Sequence, residues 1–191
     1  MFALQDKCAG DILNSNFTSN IAEQAGGAHY VNVAPTLTVY GNTYTYNNAT
    51  TGSAGIFAQS VVLSTFANNH FGSNVGEKGA ALFQGSCNAT TITNSTFYNN
   101  SATTFGGAVF RSLTTGSLAD NAFSSNYAGR FGGALYDVNV TGQSTAFSAA
   151  LWLCSVCSQH GLARANLSEP SYLCLAASSI HATCMTWCRP Q

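Results

Sequence analysis

Charge is nearly missing from this chain. Of 191 residues only six are Lys or Arg and seven are Asp or Glu, a net charge of −1. That balance leaves no basic surface for nucleic acid or an anionic membrane. Long apolar runs are missing as well. The longest, around Leu151-Trp152-Leu153-Cys154, falls far short of the ~20 residues that span a bilayer. The opening Met1-Phe2-Ala3-Leu4-Gln5-Asp6-Lys7 has neither the basic nor the apolar region of a secretory signal, so none is visible. A cytosolic chain and a piece of a longer chain with its export signal upstream are the alternatives, and the repeats below favour the second. The composition argues against disorder of the chain as a whole, because disordered chains are poor in aromatics and 12% of these residues are Phe, Trp or Tyr; residues 148–191 are read as a cap or a disordered tail. What is present is Gly, Asn, Thr and Ser among 46% hydrophobic residues. That is a composition for β-structure, in one domain or one domain with a tail.

The chain repeats itself. Gly26-Gly27-Ala28-His29-Tyr30, Ser53-Ala54-Gly55-Ile56-Phe57, Gly79-Ala80-Ala81-Leu82-Phe83, Gly106-Gly107-Ala108-Val109-Phe110 and Gly132-Gly133-Ala134-Leu135-Tyr136 align at spacings of 26 or 27 residues. Thirteen residues before the final aromatic stands another aromatic followed by x-x-Asn: Phe17 and Asn20, Tyr44 and Asn47, Phe97 and Asn100, Phe123 and Asn126. Five residues earlier sits an aliphatic, Ile12, Val39, Ile92 or Leu118, and two residues after the Asn sits Ala22, Ala49, Ala102 or Ala128. The third copy fits as Val61, Phe66 and Asn69 with extra residues before Gly79. A competing register uses Phe71 and Asn74 with a one-residue deletion. The first is preferred here because it keeps the aliphatic at minus five.

Helical repeats are longer, roughly 33–47 residues, and need runs of helix formers; a propeller blade needs about 40 residues. The segments here are Thr, Ser, Asn, Val, Tyr and Phe, which favour strands and turns. A period of 26 or 27 with about three short strands fits one coil of a parallel β-helix. The fold expected is therefore an all-β solenoid of about five coils over residues 1–147, followed by a cysteine-bearing tail over 148–191. Coils stack about 4.8 Å apart, so residues at one repeat position lie over one another. The column Asn20, Asn47, Asn69, Asn100 and Asn126 is expected in a tight turn with φ > 0, its amides bonded coil to coil. The column Phe17, Tyr44, Phe66, Phe97 and Phe123 is expected to stack offset inside the core. Gly-Gly permits a bend that Ser53-Ala54 and Gly79-Ala80 would make less sharp.

These residues resemble the polymorphic outer membrane protein repeat, whose signatures are Gly-Gly-Ala-aliphatic and Phe-x-x-Asn. Gly106-Gly107-Ala108-Val109 and Gly132-Gly133-Ala134-Leu135 match the first; Phe17-Thr18-Ser19-Asn20, Phe66-Ala67-Asn68-Asn69, Phe97-Tyr98-Asn99-Asn100 and Phe123-Ser124-Ser125-Asn126 match the second. The copy with Tyr44-Thr45-Tyr46-Asn47 and Ser53-Ala54-Gly55-Ile56 departs from both. The match runs over residues 12–147. It implies a right-handed, pectin-lyase-like β-helix displayed at a cell surface and often adhesive. Bacterial members precede a membrane barrel, and residues 148–191 contain no alternating strands of that kind. Similar repeats also occur in surface or extracellular proteins of microbial eukaryotes.

Beyond Phe147 the sequence changes character, with Cys154, Cys157, Cys174, Cys184 and Cys188 beside Trp152 and Trp187. A zinc knuckle lacks its second Cys-x-x-Cys. Disulfides in an oxidising compartment and a tail that is not a native continuation of the coils remain as alternatives. Cys8 and Cys87 lie about three coils apart, beyond the ~7 Å reach of a disulfide, and are expected to be free buried thiols.

Pectin-lyase-like enzymes need carboxylates on one face to hold Ca²⁺ or to act as an acid–base pair. Asp6, Asp11, Glu23, Glu77, Asp120, Asp137 and Glu169 do not stack on one another. Asp120 reads as a rung beside Asn14 and Asn94, Arg111 and Asp137 as a surface pair, and His29 as an end-coil replacement for Ile56, Leu82, Val109 and Leu135. No catalytic residue, metal site or cofactor is expected. Tyr30, Phe57, Phe83, Phe110 and Tyr136 form the candidate column for stacking sugar rings if they face solvent, and belong to the core if they do not. The residues that follow them, Val31, Ala58, Gln84, Arg111 and Asp137, grow polar along the chain and lean toward rings inside. Asn-x-Ser/Thr sequons begin at Asn16, Asn48, Asn88, Asn94, Asn99, Asn139 and Asn166, several overlapping turn positions that read as structural.

The function expected is a non-catalytic extracellular or cell-surface structural or adhesive module, part of a larger protein. Its partners would be further coils and a surface protein or glycan. The alternative is a polysaccharide-binding or polysaccharide-cleaving protein.

Overall fold

The structure, a computed structural model, describes residues 9–138 and the backbone of strand Phe2–Gln5. Cys8, Phe147 and the cysteine-bearing tail, together with Asp6 and Glu169, lie outside the described residues. Every regular element described is a strand, and every pairing between strands is parallel. The result is a β-solenoid of about five coils.

Each coil turns through four short faces. The first face holds Phe2–Gln5, the beginnings of His29–Tyr40 and Ile56–Ala67, then Leu82–Gly85, Val109–Ser112 and Leu135–Val138. The second holds Gly10–Leu13, the ends of the same two long strands, Ala89–Thr93 and Thr115–Ala119. The third stacks Asn16–Thr18, Thr43–Thr45, His70–Gly72, Thr96–Tyr98 and Ala122–Ser124. The fourth stacks Ile21–Ala22, Asn48–Ala49, Val75–Lys78, Ser101–Phe105 and Tyr127–Ala128. Side chains alternate in and out along each strand, and the inward ones meet to form the core.

The register of the third copy differs from the sequence preference. Tyr44 lies against Phe71, and Phe71 against Phe97. The inner ring column is therefore Phe17, Tyr44, Phe71, Phe97 and Phe123, with centroid separations of 5.0, 4.8, 5.0 and 4.7 Å and planes within 16°. Phe66 instead pairs with Val39 and Ile92 in the aliphatic column that runs from Ile12 to Leu118. An aromatic ring can take an aliphatic rung because both are large and apolar, and that substitution masked the correct alignment. The one-residue deletion falls inside the third coil.

The Asn column moves with it. Asn20, Asn47, Asn74, Asn100 and Asn126 form the ladder, each Nδ2 donating to the next Oδ1 at 2.9–3.0 Å. The same Nδ2 groups reach back to the preceding coil: Asn47 to the carbonyl of Phe17, Asn74 to Tyr44, Asn100 to Phe71 and Asn126 to Phe97. Asn69 belongs to a second ladder at the corner between the second and third faces. There Asn42 Nδ2 donates to Asn69 Oδ1, the Asn69 backbone N–H to Ser95 Oγ, and the Ser95 N–H to Asn121 Oδ1.

Ladder Asn residues do not themselves take φ > 0. The residue before each does: Ser19, Tyr46, Ser73, Asn99 and Ser125 lie at 53–56°. At the second ladder the same place is filled by Asn14, Gly41, Asn68, Asn94 and Asp120, all left-handed. Asp120 is thus a rung of that column, as its sequence position implies. A left-handed residue costs about 1–2 kcal/mol when it is not Gly, Asn or Asp, and the buried amide bonds it sets up offset that cost. Where the second copy has Ser53 in place of the first Gly, the left-handed conformation shifts to Gly52, at φ 65°.

Asn74 makes or receives four ladder hydrogen bonds through its side chain, whereas Asn48 is exposed. At about 1 kcal/mol net per bond, Asn74→Ala is expected to lower the unfolding free energy by about 3 kcal/mol in a urea titration. Asn48→Ala should change it by less than about 0.5 kcal/mol. Equal losses would refute the register.

Candidate functional site

The repeat motif ends on an aliphatic–aromatic–x triplet, and strand geometry must put the first and third of these on one side. The aliphatic column His29, Ile56, Leu82, Val109 and Leu135 is buried, and so is the third column, Val31, Ala58, Gln84, Arg111 and Asp137. Tyr30, Phe57, Phe83, Phe110 and Tyr136 therefore lie on the outer side of the first face. The polar drift of the following column, which leans toward rings inside, misleads: those polar groups are in the interior. The column before the rings, aliphatic at four of its five rungs, was the better signal, since buried positions are mostly apolar.

The outer rings stack on each other at 5.1, 4.5, 5.1 and 5.5 Å with planes within 17°. Tyr30, Phe57 and Phe83 are half-buried; Phe110 and Tyr136 are buried. Two further rings close over the last coils, with Phe105 5.0 Å from Tyr136 and 5.8 Å from Phe131. The glycine-bearing bend also folds against this column. A Cβ on Gly52 would lie 3.1 Å from Phe57 Cδ2, and one on Gly132 2.9 Å from Tyr136 Cβ. The outer column is thus a second, smaller packed layer. Its inner rungs offer solvent their edges, because each ring face is covered by the next ring.

Rings with uncovered faces lie elsewhere. Tyr46, at the corner between the third and fourth faces, is 65% exposed, and Tyr98, at the end of a third-face strand two coils on, is 51% exposed. Between them on the third face, Gly72 pairs with both Thr45 and Tyr98. Their outward direction follows from parity, Tyr98 standing next to inward Phe97. Sequence reading missed them because neither column is aromatic at its other rungs: Tyr46 shares one with Ser19, Ser73, Asn99 and Ser125, and Tyr98 one with Thr45 and Gly72.

The interior holds the chemistry-bearing groups. Arg111 is fully buried and Asp137 nearly so. Arg111 Nε donates to Asp137 Oδ1 at 2.7 Å, and Nη2 donates to Oδ2, a two-point contact. The pair expected at the surface is an interior ion pair, because its repeat position faces the core. Gln84 lies beside Arg111 in the same column. Its amide nitrogen and oxygen, and Arg111 Nη1, have no hydrogen-bond partner. Cys87 is a buried free thiol, donating to the carbonyls of Ala58 and Gly85, and burial pushes its pKa up. His29 is enclosed by the ring edges of Phe17, at 4.3 Å, and Tyr44, at 5.6 Å. Burial holds its pKa down at about 4. The Tyr44 hydroxyl is buried without a partner, and its pKa is raised by the same desolvation. Among the described residues no His, Cys, Asp and Glu cluster could hold a metal ion, and no helix is long and apolar enough to cross a membrane.

No protein-family model matches the chain, and neither the curated proteins nor the solved structures give a significant match.

Two predictions follow from the buried groups. Removing one partner of a buried pair strands the other charge at a cost of about 3–5 kcal/mol. Asp137→Ala should show that loss in chemical denaturation, while Arg111→Met combined with Asp137→Leu should recover most of it. The second concerns acid. An unfolded His takes its proton near pH 6.5, whereas folded His29 resists protonation down to about pH 4. Stability is therefore full above pH 6.5 and falls as the pH drops toward 4, by up to about 3 kcal/mol. Thermal melts across that range should show the slope in the wild type and a flatter profile in His29→Leu.

Proposed function

We propose that this chain is a non-catalytic structural or adhesive module of an extracellular or cell surface. Further coils of a longer solenoid would continue it, as the resemblance to polymorphic outer membrane protein repeats implies. The observation that carries this reading is the allocation of side chains. The repeating Asn, Phe and Ala positions serve coil-to-coil stacking; among the described acids and histidines Asp137 and His29 are withdrawn into the interior, while Asp11, Glu23, His70 and Asp120 are exposed and Glu77 is half-buried. Asp137 is held by Arg111, and His29 is enclosed by rings. Asp11 and Asp120 fall at different repeat positions, and Glu23 and Glu77, each three residues after a ladder Asn, are separated by the coil that carries Thr50, so no two of these carboxylates face each other from adjacent coils.

What remains outside is a long, almost uncharged flank. Thr38, Thr65, Thr91 and Ser117 form one outward row on the second face. Such a row offers hydroxyls and methyls at regular spacing to a neutral, polar partner. Asp11 heads this row beside Thr38, and its other rungs carry no charge, so contact along it would depend on area and avidity more than on long-range attraction.

A second reading, polysaccharide binding, has its own support in the uncovered ring faces of Tyr46 and Tyr98. A sugar ring stacks on an aromatic face, which the outer ladder does not offer between its rungs.

Beads coated with the chain are expected to be retained on intact cells several-fold above blank beads. Incubation with uronate-containing and neutral polysaccharides is expected to release no new reducing ends or unsaturated products. Cleavage above buffer would overturn the non-catalytic reading, and retention equal to blank beads would overturn the adhesive one. The double change Tyr46→Ala and Tyr98→Ala separates the two binding modes: loss of retention on immobilised polysaccharide, with cell retention intact, assigns those rings to the glycan.

A further inference from the structure

The fold sorts the asparagines of this chain by accessibility. The first set forms rungs. Asn42, Asn47, Asn69, Asn74, Asn100, Asn121 and Asn126 are buried, and their amides are committed. Asn100 Nδ2, for instance, donates to the Phe71 carbonyl at 3.0 Å and to Asn126 Oδ1 at 3.0 Å, leaving no N–H over. None of these seven is followed two residues later by Ser or Thr. The reason is parity: the second residue after an inward rung also points inward, where the core takes Ala49, Ala102 and Ala128 at one ladder and Tyr44, Phe71 and Phe123 at the other.

The second set comprises Asn16, Asn48, Asn88, Asn94 and Asn99. All five are exposed, and all five are followed two residues later by a hydroxyl, on Thr18, Thr50, Thr90, Thr96 and Ser101. These are the described sequons of the chain. The turn reading holds for the backbone of Asn94 and Asn99, which are left-handed at φ 47° and 54°, but the side chains that bond coil to coil belong to their neighbours. Asn99 adjoins rung Asn100, and Asn48 adjoins rung Asn47. The side-chain bonds of these asparagines lie at the surface: Thr18 Oγ1 donates to Asn16 Oδ1 at 2.9 Å, and Asn99 Nδ2 donates to Ser73 Oγ at 3.2 Å. Thr90, the hydroxyl of the Asn88 sequon, is buried 2.8 Å from Ser64 Oγ, so Asn88 must be reached before that face closes.

We propose that Asn16, Asn48, Asn88, Asn94 and Asn99 are N-glycosylation acceptors, and that the solenoid carries these glycans without losing a rung. The donor is a lipid diphosphate-linked oligosaccharide and the catalyst a membrane-bound transferase. The acceptor Nδ2 bonds to the sugar C1 as the C1–O bond to the diphosphate breaks. The lipid diphosphate departs with that electron pair, and the transferase takes one amide proton. The substituted amide keeps one N–H, so the Asn99 bond to Ser73 survives.

The placement also has a pattern. Asn16 lies on the third face, Asn48 on the fourth, and Asn88, Asn94 and Asn99 at corners. The first face carries no acceptor among the described residues, since Asn32 is followed by Val33-Ala34. Glycans would coat the other flanks and leave the outer ring column bare. Asn139 and Asn166 lie outside the described residues.

This inference rests on the extracellular reading, and the test keeps the two apart. The full chain is passed behind an export leader through a eukaryotic secretory host. The secreted product is treated with peptide:N-glycosidase in ¹⁸O-water and its peptides are mapped. Conversion to ¹⁸O-labelled Asp is expected at the five positions, with strand circular dichroism and melting midpoint of the glycosylated chain matching those of the same chain produced without glycans in a bacterial host. Unmodified Asn at all five positions in the secreted, folded chain would overturn the proposal, as would loss of the strand signal in the glycosylated form. Antibody labelling of the native chain on intact against permeabilised cells reads location alone. An internal native chain overturns the surface reading and not the acceptor geometry.

Discussion

The structure depends on one constraint, the stacking of each coil on an equivalent coil about 4.8 Å away. At that spacing a side chain has its counterpart as its nearest neighbour, so like must tolerate like. Amides satisfy this by passing hydrogen bonds along the axis, each serving as donor and acceptor in turn. Rings satisfy it by stacking with an offset, and aliphatics by simple contact. Charges cannot, because two like charges at this distance repel. A chain with 7% charged residues is what such a rule produces. The buried ion pair among the described residues obeys it too, by placing Arg111 and Asp137, opposite signs, on adjacent rungs.

Two ladders of rings serve different ends. The inner one fills the core and holds the third face against the rest. The outer one, on the first face, is sheltered by the glycine-bearing bend and, at the last coils, by Phe105 and Phe131. This explains why the motif couples small residues to an aromatic: the bend turns back on the strand that carries the ring, and a Cβ at Gly26, Gly79, Gly106 or Gly132 would collide with the carbonyl of the residue before that ring. Stability and recognition are separated as a result. The most regular aromatic feature of the surface is engaged with itself, while the rings free to meet a partner interrupt the repeat.

The interior column beside the outer rings changes from Val31 and Ala58 to Gln84, Arg111 and Asp137. A solenoid built of near-identical coils can slip by one unit, and a buried polar series that occurs once identifies its own coils. Unpartnered atoms at Gln84 and Arg111 Nη1 add to the cost of burying this series. A buried ionic contact is weak support for stability but a strong penalty on mispairing.

The period, the composition and the alternation of apolar residues were enough to specify a parallel β-helix. Each is a local consequence of strand parity and of small residues needed at a bend, and all can be read along one dimension. The columns of Phe97 on Phe123 and Asn100 on Asn126 were legible for the same reason. Three matters were decided only in three dimensions. Phe66 and Phe71 are interchangeable in sequence, and packing chose between them because only one places Asn74 where two neighbouring amides await it. The outward facing of the Tyr30-to-Tyr136 column depended on which of two alternating sets closes around the core, and the polar residues buried with the inward set obscured that choice. Last, Asn47 and Asn48 are the same residue one position apart; only the path of the chain turns one into a rung and leaves the other in water.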